Sequence, residues 1–261
     1  MIRILFRILS EFPRWERPAQ VGCVTAVVML VVSVLFAALG PDNIRQPAIA
    51  AVMGLVIVAQ IIVMWANRGM VTEYTIAQRH FRDGEFEMAC TVLEEFHAND
   101  NADVLSLTLL GNAYRQLARL EEGEVVLLQA LELDPKHYFP LYGLGRTLMA
   151  QGRYEEAAST IQSAIDNGAA GNINFDVGEA YYRLGDKQKA IELLQTASQH
   201  VQYEAHRALM TTYLLHVLGE GDFPSSELIQ AGLPYWQVQA ELFDDTEYGQ
   251  ALADDVKALS E

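Results

Sequence analysis

The chain has 261 residues, 51% of them hydrophobic, and a formal net charge of −16. The charge is divided: residues 1–70 hold 6 basic and 3 acidic side chains, leaving 12 basic and 31 acidic for the remainder. So acidic a C-terminal portion repels nucleic-acid phosphates and anionic headgroups, which excludes a nucleic-acid partner and a domain lying flat on a membrane.

In chain order, residues 1–17 come first. Arg3, Arg7, Ser10, Glu11 and Arg14 recur at helical spacing, with Ile2, Leu5, Phe6, Ile8, Leu9 and Phe12 filling the other side. Pro13 ends the pattern. This predicts an amphipathic helix in the cytoplasmic interface with Trp15 near headgroup level; a frayed tail is the alternative. Two uncharged runs follow, 24 residues between Arg17 and Asp42 and 22 between Arg45 and Arg68. At 1.5 Å per residue each crosses a hydrocarbon core of roughly 30 Å. They predict transmembrane helices over 18–40 and 46–67, joined through Gly40-Pro41-Asp42-Asn43 by a short extracytoplasmic loop, 41–45. The first run is long for a cleaved signal, and Pro41 would follow the cut, so it is expected to be retained. Arg3, Arg7, Arg14 and Arg17 on one flank and Arg68, Arg79 and Arg82 on the other, against Arg45 alone between, place both ends in the cytoplasm. Gly22-xxx-Ala26 and Ala50-xxx-Gly54 allow close helix approach, within the hairpin or between chains. Neither run holds an ionisable residue other than Cys23, which argues against transport or a proton relay.

Beyond Met70 the sequence repeats. Ile76-Ala77, Leu110-Gly111, Leu144-Gly145 and Val177-Gly178 are equivalent, their small members 34, 34 and 33 residues apart. Ala89, Gly123, Ala157 and Ala190 hold the same register. Three residues after the first small position comes His80, Tyr114, Leu148 or Tyr181, and a turn follows with Gly84, Gly152 or Gly185. Four residues after the second small position comes Leu93, Leu127, Ile161 or Leu194. Each unit is thus a helix pair with a small contact point and a large residue to fill the gap. Neither helix buries its apolar stripe alone, so the units must stack.

This plan resembles the tetratricopeptide repeat. The second unit carries it best, as Leu107-x2-Leu110-Gly111-x2-Tyr114, then Gly123-x3-Leu127, Ala130 and Pro135. The first departs most, with Glu73 in the slot where the family prefers tryptophan and His80 in the tyrosine slot. The resemblance covers 71–200, with units over about 71–104, 105–138, 139–171 and 172–202. The fold class expected is all-α: an N-terminal two-helix transmembrane hairpin, then an α-solenoid of about four helix-turn-helix repeats with a C-terminal helical cap. Residues 203–261 read as a degenerate repeat and capping helices. Tyr203 to Leu218 fits a fifth first helix, and Ser225 or Ser226 caps a short helix ahead of Gly232-Leu233-Pro234. The last stretch, with Trp236, Leu242, Phe243 and six acids from Glu241 through Asp255, reads as a solvating cap over the final repeat, or as a peptide-like segment for another partner.

The resemblance implies that the first helix of each unit lines a concave face that grips a protein or peptide. On that face fall Tyr74, Gln78, Arg82, Thr108, Asn112, Arg115, Tyr142, Arg146, Phe175, Tyr182 and Arg183. Arg82, Arg115, Arg146 and Arg183 supply one guanidinium per unit, suited to a partner carboxylate. The alternative is that they pair with neighbouring Glu and Asp and only keep the domain soluble. No nucleotide loop, zinc spacing or nucleophile motif is visible, and Asp244-Asp245 and Asp254-Asp255 lack a calcium-loop frame. No catalysis, metal, cofactor or small-molecule substrate is expected. The expected function is a membrane-tethered scaffold or adaptor at the cytoplasmic face, its two-span plan suiting a bacterial plasma membrane. An assembly factor that contacts a membrane complex through the hairpin is the alternative.

Overall fold

The computed structural model describes residue 12 and residues 17–67, 72–99 and 102–261. The interfacial helix expected before Arg17 lies almost wholly outside these residues. The described chain is helical throughout and divides into two compact units, 1–72 and 73–261.

The first unit is a helix pair, α1 (Arg17–Leu39) and α2 (Asp42–Asn67). The link is shorter than the 41–45 loop expected. The second helix already begins at Asp42 and carries Pro47 inside it. Arg45 reaches back to donate to the carbonyls of Ala37 and Ala38 at 3.2 and 3.4 Å, satisfying acceptors that the end of α1 leaves open. Small residues set the contact. Ala19 and Ala26 are buried, and a Cβ on Gly22 would lie 3.5 Å from Ile62. Gly54, by contrast, has open space before it. The larger apolar side chains turn outward, so both helices are long and apolar enough to cross a membrane.

The second unit stacks helix pairs: α3 (Glu73–Arg82) with α4 (Phe86–Ala98), α5 (Val104–Gln116) with α6 (Leu120–Leu133), α7 (Tyr138–Ala150) with α8 (Tyr154–Asp166), and α9 (Asn174–Arg183) with α10 (Lys187–Ser198). A 3-10 turn, Gly171–Ile173, precedes α9. The two small series meet as the repeat demands. A Cβ on Gly111 would lie 2.5 Å from Leu127, one on Gly178 2.9 Å from Leu194, and one on Gly145 would strike Ile161. Leu127, Ile161 and Leu194 are fully buried, each seated on the glycine of its own first helix. The turns use the left-handed region at Gly84, Gly152 and Gly185 (φ 81°, 77°, 79°). Ala118 holds the same register and takes φ 55° without the freedom of a glycine.

Beyond the repeats lie α11 (Ala205–Val217), α12 (Ser226–Leu242) and α13 (Glu247–Ser260). The helix capped by Ser225 is not short: it runs 17 residues through Gly232 and Pro234. Packing overrides the two breakers. Gly232 is pressed against the Ala205 carbonyl, where a Cβ would lie 2.6 Å from the oxygen. Trp236, fully buried, donates from Nε1 to the His206 carbonyl at 2.7 Å. Nor is the last stretch only a solvating cap. Tyr248, Leu252 and Leu259 are buried, and α13 reaches past the final repeat to touch α7 of the third.

A candidate partner-binding groove

The first helices α3, α5, α7 and α9 lie side by side, with α11 continuing the row. At the N-terminal end, Tyr74 is half-buried against Phe81, Leu109 and their neighbours, while Gln78 and Arg82 are exposed. Thr108 is buried, its hydroxyl donating to the Val104 carbonyl at 2.5 Å. Asn112 and Arg115 follow on α5, each 9% exposed.

Further along, the groove residues are engaged within the chain. Asp176, fully buried on α9, accepts from Arg146, from the Tyr142 hydroxyl at 3.1 Å and from Arg207 at 3.3 Å. Arg183 pairs with Asp255 of α13 at 2.6 Å and with Glu179 at 3.3 Å, and the Tyr248 hydroxyl donates to Glu179 at 3.2 Å. Phe175 is fully buried, its ring centroid 5.9 Å from that of Trp236. Tyr182 is half-buried under the Arg183 guanidinium, 5.3 Å from its ring. The chain's own α12 and α13 thus fill the C-terminal half of the surface on which the sequence placed a partner. Arg146, Phe175 and Arg183 are occupied there, Asn112 and Arg115 are buried, with Tyr235 of α12 within electrostatic reach of Arg115, and Gln78 and Arg82 stay exposed.

The electrostatics follow burial and pairing. Burial raises the pKa of Glu179, although Arg183 and Arg146 pull it down. Burial likewise raises Asp255 against the opposing pull of Arg183. Burial opposes the charge of Arg146, Arg183 and Arg207, yet neighbouring carboxylates more than offset it and all three are raised. Arg115 differs. Its pKa is lowered, by burial first and then by the like charge of Arg146.

Asp255 is thus no solvated surface acid. Arg207 was also missed, though its slot was readable. It stands three residues before Met210, where Tyr142 and Phe175 stand before Gly145 and Gly178, so extending the groove register into the fifth unit finds it.

Stacked helix pairs with a side-chain-lined inner row define a helical-repeat scaffold for protein interaction. Within that class the repeats are tetratricopeptide repeats: residues 105–137 and 142–205 each match a family profile described as tetratricopeptide repeat. Over 105 residues, 40% of the chain, it is 30% identical to tetratricopeptide repeat protein 21B of Mus musculus, and over 109 residues 30% identical to that of Homo sapiens. The match spans only 8% of the length of those relatives. MamA from Desulfovibrio magneticus RS-1, residue 41 to its end, superposes with a TM-score of 0.50 at 22% identity, covering 67% of this chain and 95% of that one. TTC0263, a thermophilic repeat protein of Thermus thermophilus, gives 0.51 at 17% identity, covering 73% and 99%. At these identities the likeness is one of fold.

Proposed function

We propose that the chain is a membrane-tethered scaffold. In this reading α1 and α2 span the bilayer as a hairpin, and the repeats bind a protein partner on the cytoplasmic side, through the part of the groove that α12 and α13 leave open. The observation that carries it is the outward apolar surface of the hairpin. Val21, Leu39, Met53 and Met64 are 66%, 82%, 62% and 67% exposed, as part of a continuous apolar surface that a soluble monomer rarely presents. The distribution of arginines supports the cytoplasmic placement. Gln78 and Arg82, both exposed, are the contact residues under this reading, with Tyr74, Thr108, Asn112, Arg115 and Tyr142 supporting them from more buried positions. Arg146, Phe175, Tyr182 and Arg183 would act by holding the C-terminal helices. The repeats then recruit and carry out no chemistry.

A second reading has one observation in its favour. Val28, Met29, Val32 and Ser33 of α1 and Ala51, Gly54, Leu55 and Val58 of α2 border an apolar groove of 530 Å³, a seat for a helix of another membrane protein. The chain would then be an assembly factor acting through its hairpin.

Two labels separate the readings. A Ser198→Cys reporter, with Cys23→Ser and Cys90→Ala, should resist a membrane-impermeant maleimide until the membrane is opened; labelling of sealed cells refutes the cytoplasmic placement. A photo-crosslinker at Gln78 or Arg82 should capture a soluble protein. Capture of integral membrane proteins alone, and only from Gly54, replaces the scaffold by the assembly factor.

A further inference from the structure

The second helix of the hairpin, α2, presents two stripes. Ala48, Val52, Leu55, Ala59 and Ile62 recur every three or four residues and are buried or half-buried, and Ile62 is the side chain that faces Gly22 of α1. Elsewhere on the same helix Gln46, Ala50, Met53, Ile57, Gln60 and Met64 recur at spacings of 4, 3, 4, 3 and 4, and every one of them is exposed. At about 3.6 residues per turn the two stripes point in nearly opposite directions. The outer stripe shares no residue with the apolar groove that borders both helices. A sustained alternation of three and four is the seam along which two helices cross at a shallow left-handed angle.

Gln60 stands out on that stripe. It lies seven residues before the helix end at Asn67, roughly 10 Å along the axis, between Ala59 and Ile61. Its Cα–Cβ bond leans toward the helix N-terminus, away from the nearer end, so the amide is carried deeper and not out to the headgroups. Elsewhere in the hairpin, Gln20 donates to the Phe12 carbonyl at 3.0 Å and Thr25 to the Val21 carbonyl at 2.8 Å. A hydroxyl such as that of Thr25 can turn back on its own helix. The Gln60 amide, with two donors and an acceptor oxygen, makes no hydrogen bond among the described residues. In hydrocarbon no water supplies those bonds, so another helix has to. Gln46, near the start of α2, sits at headgroup depth and has no such need.

We infer that α2 is the contact between two copies of this chain, packed in parallel along the outer stripe with their Gln60 amides hydrogen-bonded to each other, each Nε2 donating to the other Oε1. This rests on the membrane-spanning reading above and adds to it. Depth and complementarity select a second copy over a foreign helix. All copies insert with one topology, so their Gln60 residues arrive at the same level of the bilayer without a search for register. An amide is donor and acceptor at once, and so is its own complement across a twofold axis. Ala50 lets the backbones approach, while Met53, Ile57 and Met64 fill the seam around the pair. The dimer carries two repeat domains on one anchor, so a partner with two binding segments is held by both.

The test uses the full chain, reconstituted alone into phosphatidylcholine vesicles, with insertion checked first by resistance to alkaline extraction. In a Cys23→Ser, Cys90→Ala background, single cysteines are placed along α2 and oxidised in the bilayer. Disulfide-linked dimers should form at Met53→Cys and Ile57→Cys and stay at background at Val58→Cys, which is exposed but off the stripe. Energy transfer between chains labelled at Ser198→Cys, followed as the protein is diluted with lipid, gives the dissociation constant. Gln60→Leu is more apolar and so inserts at least as well. It should raise that constant roughly 3- to 30-fold, the worth of an interhelical hydrogen bond in a membrane. Gln60→Asn, which keeps the amide on a shorter stem, should fall between the two. Undiminished dimerisation of Gln60→Leu, or crosslinking strongest at Val58→Cys, overturns the inference. An inserted chain that stays monomeric also overturns it and leaves the membrane-spanning reading standing, with Gln60 free to serve a different membrane protein. A chain extracted by alkali sinks the membrane-spanning reading and this inference with it.

Discussion

Asp176→Asn probes the buried charge cluster most directly. The Asp176 side chain is fully buried and is shared by Arg146, Arg207 and the Tyr142 hydroxyl. Asparagine keeps the volume and one acceptor but removes the charge that both guanidiniums share. Arg146 would then lie near-buried beside Arg115 without the carboxylate it pairs with, while Arg207 would keep Glu204 at 2.7 Å. Breaking a buried ion pair by removing one partner costs about 3–5 kcal/mol. Domains hold only about 5–15 kcal/mol in all, so the loss is a large share of the total. At a urea dependence of about 1–3 kcal/mol per molar, the unfolding midpoint should fall by at least about 1 M. The probe is Trp236, fully buried on α12, in a Trp15→Phe, Trp65→Phe background of the full chain. Adding Arg115→Met to Asp176→Asn should recover part of the loss by thinning the cluster of like charges. A loss below about 1 kcal/mol would refute the reasoning, since water would then be solvating these guanidiniums.

Two further substitutions test other parts of the fold. Ala118→Gly should stabilise the repeats by about 1 kcal/mol, because Ala118 stands at φ 55° where the other repeats use Gly84, Gly152 and Gly185; an unchanged urea midpoint means the left-handed turn is not held in solution. The pKa of Glu179 and of Asp255 is raised by burial, so the folded chain keeps protons that the unfolded chain has released. Their contribution to stability therefore falls as pH rises from the ordinary carboxylate value through the raised one, and is flat below the former. Glu179→Gln should flatten the stability profile in that window, measured by urea unfolding at several pH values, whereas an unaltered slope means that Glu179 is charged throughout.

The solenoid was legible because its determinants are local and periodic. Gly111, Gly145 and Gly178 sit in a fixed register with Leu127, Ile161 and Leu194, and the structure brings those pairs into contact. The turn at Ala118 was hidden because the residue type denies the conformation that the register demands. The C-terminal helices misled for a different reason. Gly232 and Pro234 are breakers by local rules, but the gain from burying Trp236 and Ala240 outweighs the weakened helix. The groove was half legible. Spacing could put Arg146 and Arg183 on the inner face, but their acids stand 30 and 72 residues further along the chain, at Asp176 and Asp255. No periodicity links such positions.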